Sequence, residues 1–305
     1  MKVTIDERAG FCWGVVRTVD IAEDTLQENQ EEDIYVLGHI IHNPREIERL
    51  EKRGLKTITH SDFDEIAMNG RRSKVIIRAH GEPPSTFVKA EQLGIELVDA
   101  TCPLVTNLQN RVKKYFDSGF QIVIYGKKEH AEIIGLRGVC NDECVVIRTL
   151  EEAESIVDFS RKTALISQTT MHRPTFYEIK DFLESQIGEL IHAGEINDKL
   201  LARDTTCRAV TGREKPLTEY AKNNDVIIFV SGKNSSNGKS LYNHCKSINE
   251  RTYFVEGIDE INWDWFEDAE TVGISGATST PQWYMNKVKA TIENKFNKEL
   301  SASQV

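Results

Sequence analysis

Short apolar runs alternate with longer amphipathic stretches along this chain, and the alternation repeats three times. The runs IYVLG, IVIYG and VIIFVSG, rich in Val and Ile, read as strands buried on both faces. Each ends in a polar cluster: His39 and His42 in GHIIHN, His130 and Glu132 in GKKEHAEI, and Ser235, Ser236 and Asn237 in GKNSSN. A second set, VIIRAHG, ALISQTT and VGISGATSTP, ends at His80, at Gln168, Thr169 and Thr170, and at Thr278 and Ser279. Between the runs, VVRTVDIAEDTLQEN after Gly14, REIERLEKRG after Pro44 and TFVKAEQLG after the Pro83–Pro84 pair predict covering helices. So do VTNLQNRVKKYFDSG after Pro103, TFYEIKDFLESQIG after Pro174, and PLTEYAKNN. Proline near the start and glycine just past the end mark several of them. The pattern predicts an α/β protein, in which ligands gather beyond the carboxyl ends of the strands. The polar clusters all fall there.

Three isolated cysteines share the register of this repeat: Cys12 in GFCWG, Cys102 in DATCP and Cys207 in DTTCRA, spaced at about one third of the chain. A cysteine follows the second cluster twice. For the third repeat, VTIDERAGFC at the N-terminus supplies it if the chain closes on itself. The expected division is three α/β domains over 13–101, 102–206 and 207–298, with residues 1–12 completing the third and a frayed tail beyond about Lys298. Such a cycle brings three thiolates to one centre, a donor set suited to zinc or an iron–sulfur cluster with one metal position left open.

The chain of 305 residues carries a net charge of −10, with 39% hydrophobic and 28% charged residues. The charge argues against a general nucleic-acid binder, which needs a basic face. No run approaches the ~20 apolar residues of a membrane span, and MKVTIDERAG lacks a signal-peptide core, so a cytoplasmic protein is expected. Six cysteines in a chain of this length read as thiols or metal ligands rather than a disulfide scaffold.

Several motifs have plainer readings. Cys140 and Cys144 form a C-x3-C pair with no further local ligand and read as a loop before a strand; Cys245 reads as helix packing. His42, His80 and His130, from three segments, together suit an anionic, phosphorylated ligand. His60, His172, His192 and His244 have no such context, and His39 is expected to face away. Glu132 is either a proton donor, if burial raises its pKa, or a helix N-terminal carboxylate. His130-Ala-Glu132 is not a zinc-protease signature. From Gly232 the sequence GKNSSNGKS is one residue too long for a P-loop, yet Ser235, Ser236 and Asn237 could start a phosphate-binding helix near Gly238.

GFCWGV, IHN, RAHGEP, DATCP, HAEIIG, SQTT, DTTCRA, SGKNSSN and GATSTP occur in this order over residues 10–281. In these the chain resembles the LytB/IspH family, the 4-hydroxy-3-methylbut-2-enyl diphosphate reductases of the non-mevalonate (MEP/DOXP) isoprenoid route. The resemblance implies a trefoil of three α/β domains around one [4Fe–4S] cluster per chain. Cys12, Cys102 and Cys207 would hold three irons, and the fourth, not ligated by cysteine, would take the substrate alcohol. His42, His80, His130, Thr169, Ser235, Ser236, Asn237 and Ser279 would bind the substrate, and Glu132, aided by Thr169, would deliver protons. Two electrons from the cluster and two protons would give isopentenyl or dimethylallyl diphosphate, with a ferredoxin or flavodoxin as electron donor and no nucleic-acid or membrane partner. Val210 stands where the family often has Thr, with Thr211 following, and Ala277-Thr278-Ser279 replaces the usual GAS. The alternatives are a P-loop-like nucleotide-dependent enzyme and a non-catalytic iron–sulfur redox protein.

Overall fold

A computed structural model describes residues 1–189 and 199–302. Its described strands form three four-stranded sheets, parallel at every pairing. One sheet holds β2 (Asp33–Leu37), β3 (Lys56–Ile58), β4 (Ser73–Ile77) and β5 (Glu96–Asp99), in the order β3-β2-β4-β5. A second holds β6 (Gln121–Tyr125), β7 (Cys144–Ile147), β8 (Thr163–Ser167) and β9 (Leu200–Arg203), in the order β7-β6-β8-β9. The third repeats this order with β10 (Val226–Val230), β11 (Thr252–Val255) and β12 (Thr271–Gly276), and its fourth place is taken by β1 (Lys2–Ile5). The N-terminal strand thus pairs with the last one, Lys2 opposite Thr271 and Ile5 opposite Ile274.

The central strands are buried on both faces, which is why they read as unbroken apolar runs. Along β6, Val123 and Tyr125 enter one core with Phe176, Ile179 and Leu183. Ile122 and Ile124 enter the opposite core with Leu108, Val112 and Ile133. In β10, Val226, Ile228 and Val230 face Met285, Val288 and Ile292, while Ile227 and Phe229 face Leu217 and Leu241.

The expected helices are present as α1 (Trp13–Glu28), α2 (Pro44–Glu51), α4 (Pro84–Leu93), α5 (Pro103–Asp117), α8 (Arg173–Glu189) and α10 (Glu214–Lys222). Five more fall on stretches whose period the sequence does not advertise: α3 (Phe63–Met68), α6 (Ala131–Gly138), α7 (Leu150–Ile156), α9 (Arg208–Thr211) and α12 (Gln282–Ala302). Helix α11 (Ser236–Ile248) starts two residues before the Gly238 expected from sequence. The tail read as frayed continues α12 to Ala302, because Lys, Glu, Leu and Ala are strong helix formers; its last residues lie outside those described. No described helix is long and apolar enough to cross a membrane.

The chain divides into two compact units. One comprises residues 1–16, 41–53 and 208–305 and contains the β1-β12-β10-β11 sheet; the other comprises 17–40 and 54–207 and contains the remaining two.

Gly38 closes β2 at φ +68, and a Cβ there would lie 2.4 Å from Arg78 Nη1. Gly94, the left-handed cap of α4, has the same φ class but open space around it. We therefore expect Gly94→Ala to cost about 1 kcal/mol from backbone strain alone. Gly38→Ala should cost more, about 2–3 kcal/mol, because Arg78 must also move. Urea denaturation of both variants checks the order; equal losses would mean that Arg78 yields freely.

Candidate active site

Every candidate site residue lies just beyond the carboxyl end of a strand, as the register of the sequence implies. The cysteines take equivalent places, each following the fourth-position strand of its sheet and immediately preceding a helix. Cys12 lies between β1 and α1, Cys102 between β5 and α5, and Cys207 between β9 and α9. The backbone repeats as well. Cys12 N–H donates to Thr278 O at 3.1 Å, Cys102 N–H to Ala79 O at 3.0 Å, and Cys207 N–H to Thr169 O at 2.8 Å. Each acceptor sits in the loop after the third-position strand, β12, β4 or β8.

An aspartate turns each chain segment toward its cysteine. Asp99 Oδ1 accepts Thr101 N–H at 2.9 Å, Asp204 Oδ1 accepts Thr206 N–H at 3.0 Å, and Asp6 Oδ1 accepts Arg8 N–H at 3.0 Å. These are Asx turns, in which a short carboxylate replaces a backbone acceptor two residues back. Asp6 and Arg213 are both buried; Asp6 Oδ2 accepts Ser275 Oγ–H at 2.8 Å and lies 3.4 Å from Arg213 Nη2. This pair, and the Asx turns, were not found from sequence; the DATC and DTTC repeats carried the signal.

In the unit that holds the termini, Ser235 caps α11, its Oγ accepting Gly238 N–H at 3.0 Å. Gly232 lets the preceding loop lie on the backbone of His42, since a Cβ there would fall 2.3 Å from His42 O. Ser279 Oγ is 3.5 Å from both Ser235 Oγ and His42 O. Asn237 Oδ1 accepts two bonds from Thr278, from N–H at 2.8 Å and from Oγ1–H at 2.9 Å. Thr278 thus holds Asn237 and, through its carbonyl, Cys12. Asn237 is 4% exposed, and its Nδ2 has no hydrogen-bond partner among the described residues. A buried amide donor left unmade costs about 1–3 kcal/mol, so this nitrogen points to a ligand acceptor.

In the other unit, Glu132 lies in the first turn of α6 and is 2% exposed. Its Oε1 accepts Thr169 N–H at 2.7 Å and its Oε2 accepts Thr169 Oγ1–H at 2.5 Å. Burial pushes its pKa above the ordinary glutamate value, and the two bonds from Thr169 oppose the shift without cancelling it. His130 caps α6, its Nδ1 accepting Glu132 N–H at 3.2 Å. In the neutral ring that bond assigns the hydrogen to Nε2, making His130 a donor. The ring of His80 meets that of His130 edge-on at 5.3 Å. Cys102, His80, His130, Glu132, Thr169 and Cys207 are therefore linked within this unit, as Cys12, His42, Ser235, Asn237 and Ser279 are within the first; Ser236 opens α11 beside them, buried.

Other sequence candidates lie apart. His39 is exposed, His60 contacts Glu82 and Thr86, His172 contacts Thr175, and His244 contacts Thr218. His192 lies outside the described residues. Cys245 is buried in α11, and Val210 is buried in α9.

The three thiols, each immediately before a helix, are a donor set that fits an iron–sulfur cluster. The unpartnered Asn237 amide beside the start of α11 fits an anionic ligand.

Fold and residues together define an α/β protein of three like sheets, each continuing into a cysteine that opens a helix. The family described as LytB protein matches residues 3–293, and the chain belongs to it. It is 44% identical to the 4-hydroxy-3-methylbut-2-enyl diphosphate reductase of Chloroherpeton thalassium over 98% of both chains. It is 43% identical to the reductase of that name from Chlorobaculum tepidum over 97% of both. Among solved structures it is similar to (E)-4-hydroxy-3-methyl-but-2-enyl diphosphate reductase, described as the terminal enzyme of the non-mevalonate pathway. The TM-score is 0.67 at 33% identity, over 96% of this chain and 100% of that one. The fold also matches the Plasmodium falciparum E-1-hydroxy-2-methyl-but-2-enyl-4-diphosphate reductase, with a TM-score of 0.81 at 23% identity over 94% of this chain and 86% of that one.

A group whose folded pKa is raised contributes stability below its unfolded pKa and loses it as pH rises through the folded value. Glu132 is such a group, so wild type should lose stability relative to Glu132→Gln as pH rises above the ordinary value of 4.5. Glutamine can accept from Thr169 N–H and donate to Thr169 Oγ1, which keeps the local bonds. Denaturation midpoints of the two proteins from pH 5 to 9 test this; a pH-independent difference would contradict it.

Proposed function

We propose that this protein catalyses the reductive dehydroxylation of (E)-4-hydroxy-3-methylbut-2-enyl diphosphate to isopentenyl and dimethylallyl diphosphate in the cytoplasm, with electrons from a ferredoxin or flavodoxin. The observation that carries the reading is the buried Glu132–Thr169 pair: a carboxyl inclined to keep its proton, bonded to a hydroxyl that can pass one on. The curated relatives and the similar solved structure that bear this reductase name support the substrate.

The reaction replaces a carbon-bound hydroxyl by hydrogen, consuming two electrons and two protons and releasing water. Cys12, Cys102 and Cys207 would hold a [4Fe–4S] cluster, which supplies the electrons and a Lewis-acidic iron without a cysteine ligand. Proton delivery is the work of the chain itself. Thr169 N–H, which can only donate, occupies Glu132 Oε1, so the carboxyl proton belongs on Oε2. There it reverses the bond to Thr169: in the protonated acid Oε2–H donates to Oγ1, and the threonine hydroxyl turns its own hydrogen away from the carboxyl. A proton passed from Oε2 to Oγ1 releases the threonine's own hydrogen toward the departing oxygen, which leaves as water. Burial keeps Glu132 protonated for this step at a pH where an exposed glutamate is ionised.

The diphosphate is assigned to donors that bear hydrogens and no acidic group: His42, His80, His130, Ser235, Ser236, Asn237 and Ser279. Asn237 Nδ2 and the start of α11 supply donors and partial positive charge to a phosphate oxygen. Fixing that end of the substrate orients the alcohol at the other. An acidic chain can in this way bind a dianion through neutral groups.

Replacing Glu132 by Gln should lower turnover about 10²–10⁴-fold, the range for loss of a positioned acid, with iron content unchanged. Asn237→Ala should chiefly raise KM, by about tenfold for one lost hydrogen bond to a charged group. Steady-state assays with a reduced dye separate the two effects. Unchanged turnover in the Gln variant would remove Glu132 from the mechanism.

A further inference from the structure

The loop Arg78-Ala79-His80-Gly81-Glu82-Pro83 carries the substrate candidate His80 between two charged residues that the reductase reading leaves without a role. It leaves β4 and turns at once. Gly81 N–H donates to Arg78 O at 3.0 Å, so Ala79 and His80 form the tip of a four-residue turn. Gly81 allows the exit at φ +70. Outside the turn, Glu82 Oε1 lies 3.3 Å from Arg78 Nη2, and His60 Nε2 lies 3.1 Å from Glu82 Oε2. The Glu82 side chain is 2% exposed, that of Arg78 16% and that of His60 50%. Arg78 Nε and Glu82 Oε1 have no hydrogen-bond partner among the described residues. The Arg78–Glu82 contact is therefore held by charge rather than by an aligned hydrogen bond, in surroundings that screen charge weakly.

The rest of the loop is fitted to its neighbours as closely. Gln109 Nε2 of α5 donates to Glu82 O at 3.3 Å, and a Cβ on Gly138 of α6 would fall 2.2 Å from Pro83 Cβ. On another side, Gly38 lies against the Arg78 guanidinium. Helix α6 starts at His130 and carries Glu132 in its first turn, so the loop that displays His80 also seats the helix that displays His130. The edge-on meeting of the two rings follows from how this loop is held.

We propose that Arg78 and Glu82 are positioning residues for the diphosphate: their ion pair closes the turn and sets where His80 stands beside His130. The inference rests on the assignment of His80 to the diphosphate made above. A turn closed by one backbone bond can rock about its ends, and a charge contact between its flanks removes that freedom. The ordering then occurs on folding rather than on binding. Neither side chain needs to touch the substrate.

The test is binding of inorganic diphosphate by calorimetry, with steady-state KM and kcat, on full-length protein purified without oxygen. Glu82→Gln keeps the shape and removes the charge. It should raise KM and weaken diphosphate binding about tenfold, as for one lost hydrogen bond to a charged group, with kcat within about twofold of wild type. A role confined to stability would lower the denaturation midpoint and leave both constants of the folded protein unchanged. The double variant Arg78→Met with Glu82→Met sharpens the distinction, because an apolar pair can restore the stability lost when one buried charge is removed. Diphosphate binding should stay weak in it. Recovery of binding along with stability would overturn the proposal, as would wild-type KM and binding in Glu82→Gln, which decides alone if the double variant does not fold. Asn237→Ala is the reference. If it weakens diphosphate binding and Glu82→Gln does not, this inference fails while the assignment of the pocket stands. If neither weakens it, the assignment fails and the inference with it.

Discussion

The rest of this structure depends on one recurring hydrogen bond, from the backbone N–H of a cysteine to a carbonyl in the neighbouring strand's loop. It occurs at Cys12, Cys102 and Cys207, with donor–acceptor distances of 3.1, 3.0 and 2.8 Å. A parallel sheet allows it because all strands end on the same side, so a loop leaving the fourth strand passes the loop leaving the third. The Asx turn of Asp6, Asp99 or Asp204 sets up the approach, and the helix that starts one residue later fixes the departure. Each sulfur is thus placed by backbone on both sides, and mobile side chains contribute little. That is a sound way to position ligands whose geometry must not drift.

The same loops carry the remaining chemistry, and the bonds connect the parts. Thr169 gives its carbonyl to Cys207 and bonds Glu132 through both its N–H and its hydroxyl. Thr278 gives its carbonyl to Cys12 and both its donors to Asn237. Two threonines at equivalent loop positions therefore couple a thiol to a polar side chain, a buried acid in one unit and a buried amide in the other. The difference follows from burial. Burial raises the pKa of the carboxyl and so inclines it to keep its proton, while an amide beside a helix start remains a neutral donor.

Much of this was legible in the sequence, and the limits have physical causes. Strands buried on both faces announce themselves as Val- and Ile-rich runs, so the α/β class and the strand ends that hold His42, His80, Glu132 and Ser235 could be read directly. The short helices α3, α6 and α7 could not, because a turn or two shows no period. His130 as a cap, Thr278 as the holder of Asn237, and the Asp6–Arg213 pair are matters of side-chain direction, to which spacing is blind. The turn between α6 and β7 rests on two left-handed residues, Asn141 and Asp142, that are not glycine, so the usual turn signal is missing. Nor does linear order reveal that residues 41–53 belong with the unit holding the two termini.

The most direct test of the account is iron and acid-labile sulfide per chain, measured on protein purified without oxygen, for wild type and for each cysteine changed singly to serine. The account predicts about four of each in wild type. It predicts loss of the cluster in Cys12→Ser, Cys102→Ser and Cys207→Ser, and full content in Cys140→Ser, Cys144→Ser and Cys245→Ser. Full content in any of the first three, or zinc in place of iron and sulfide in the wild type, would contradict it.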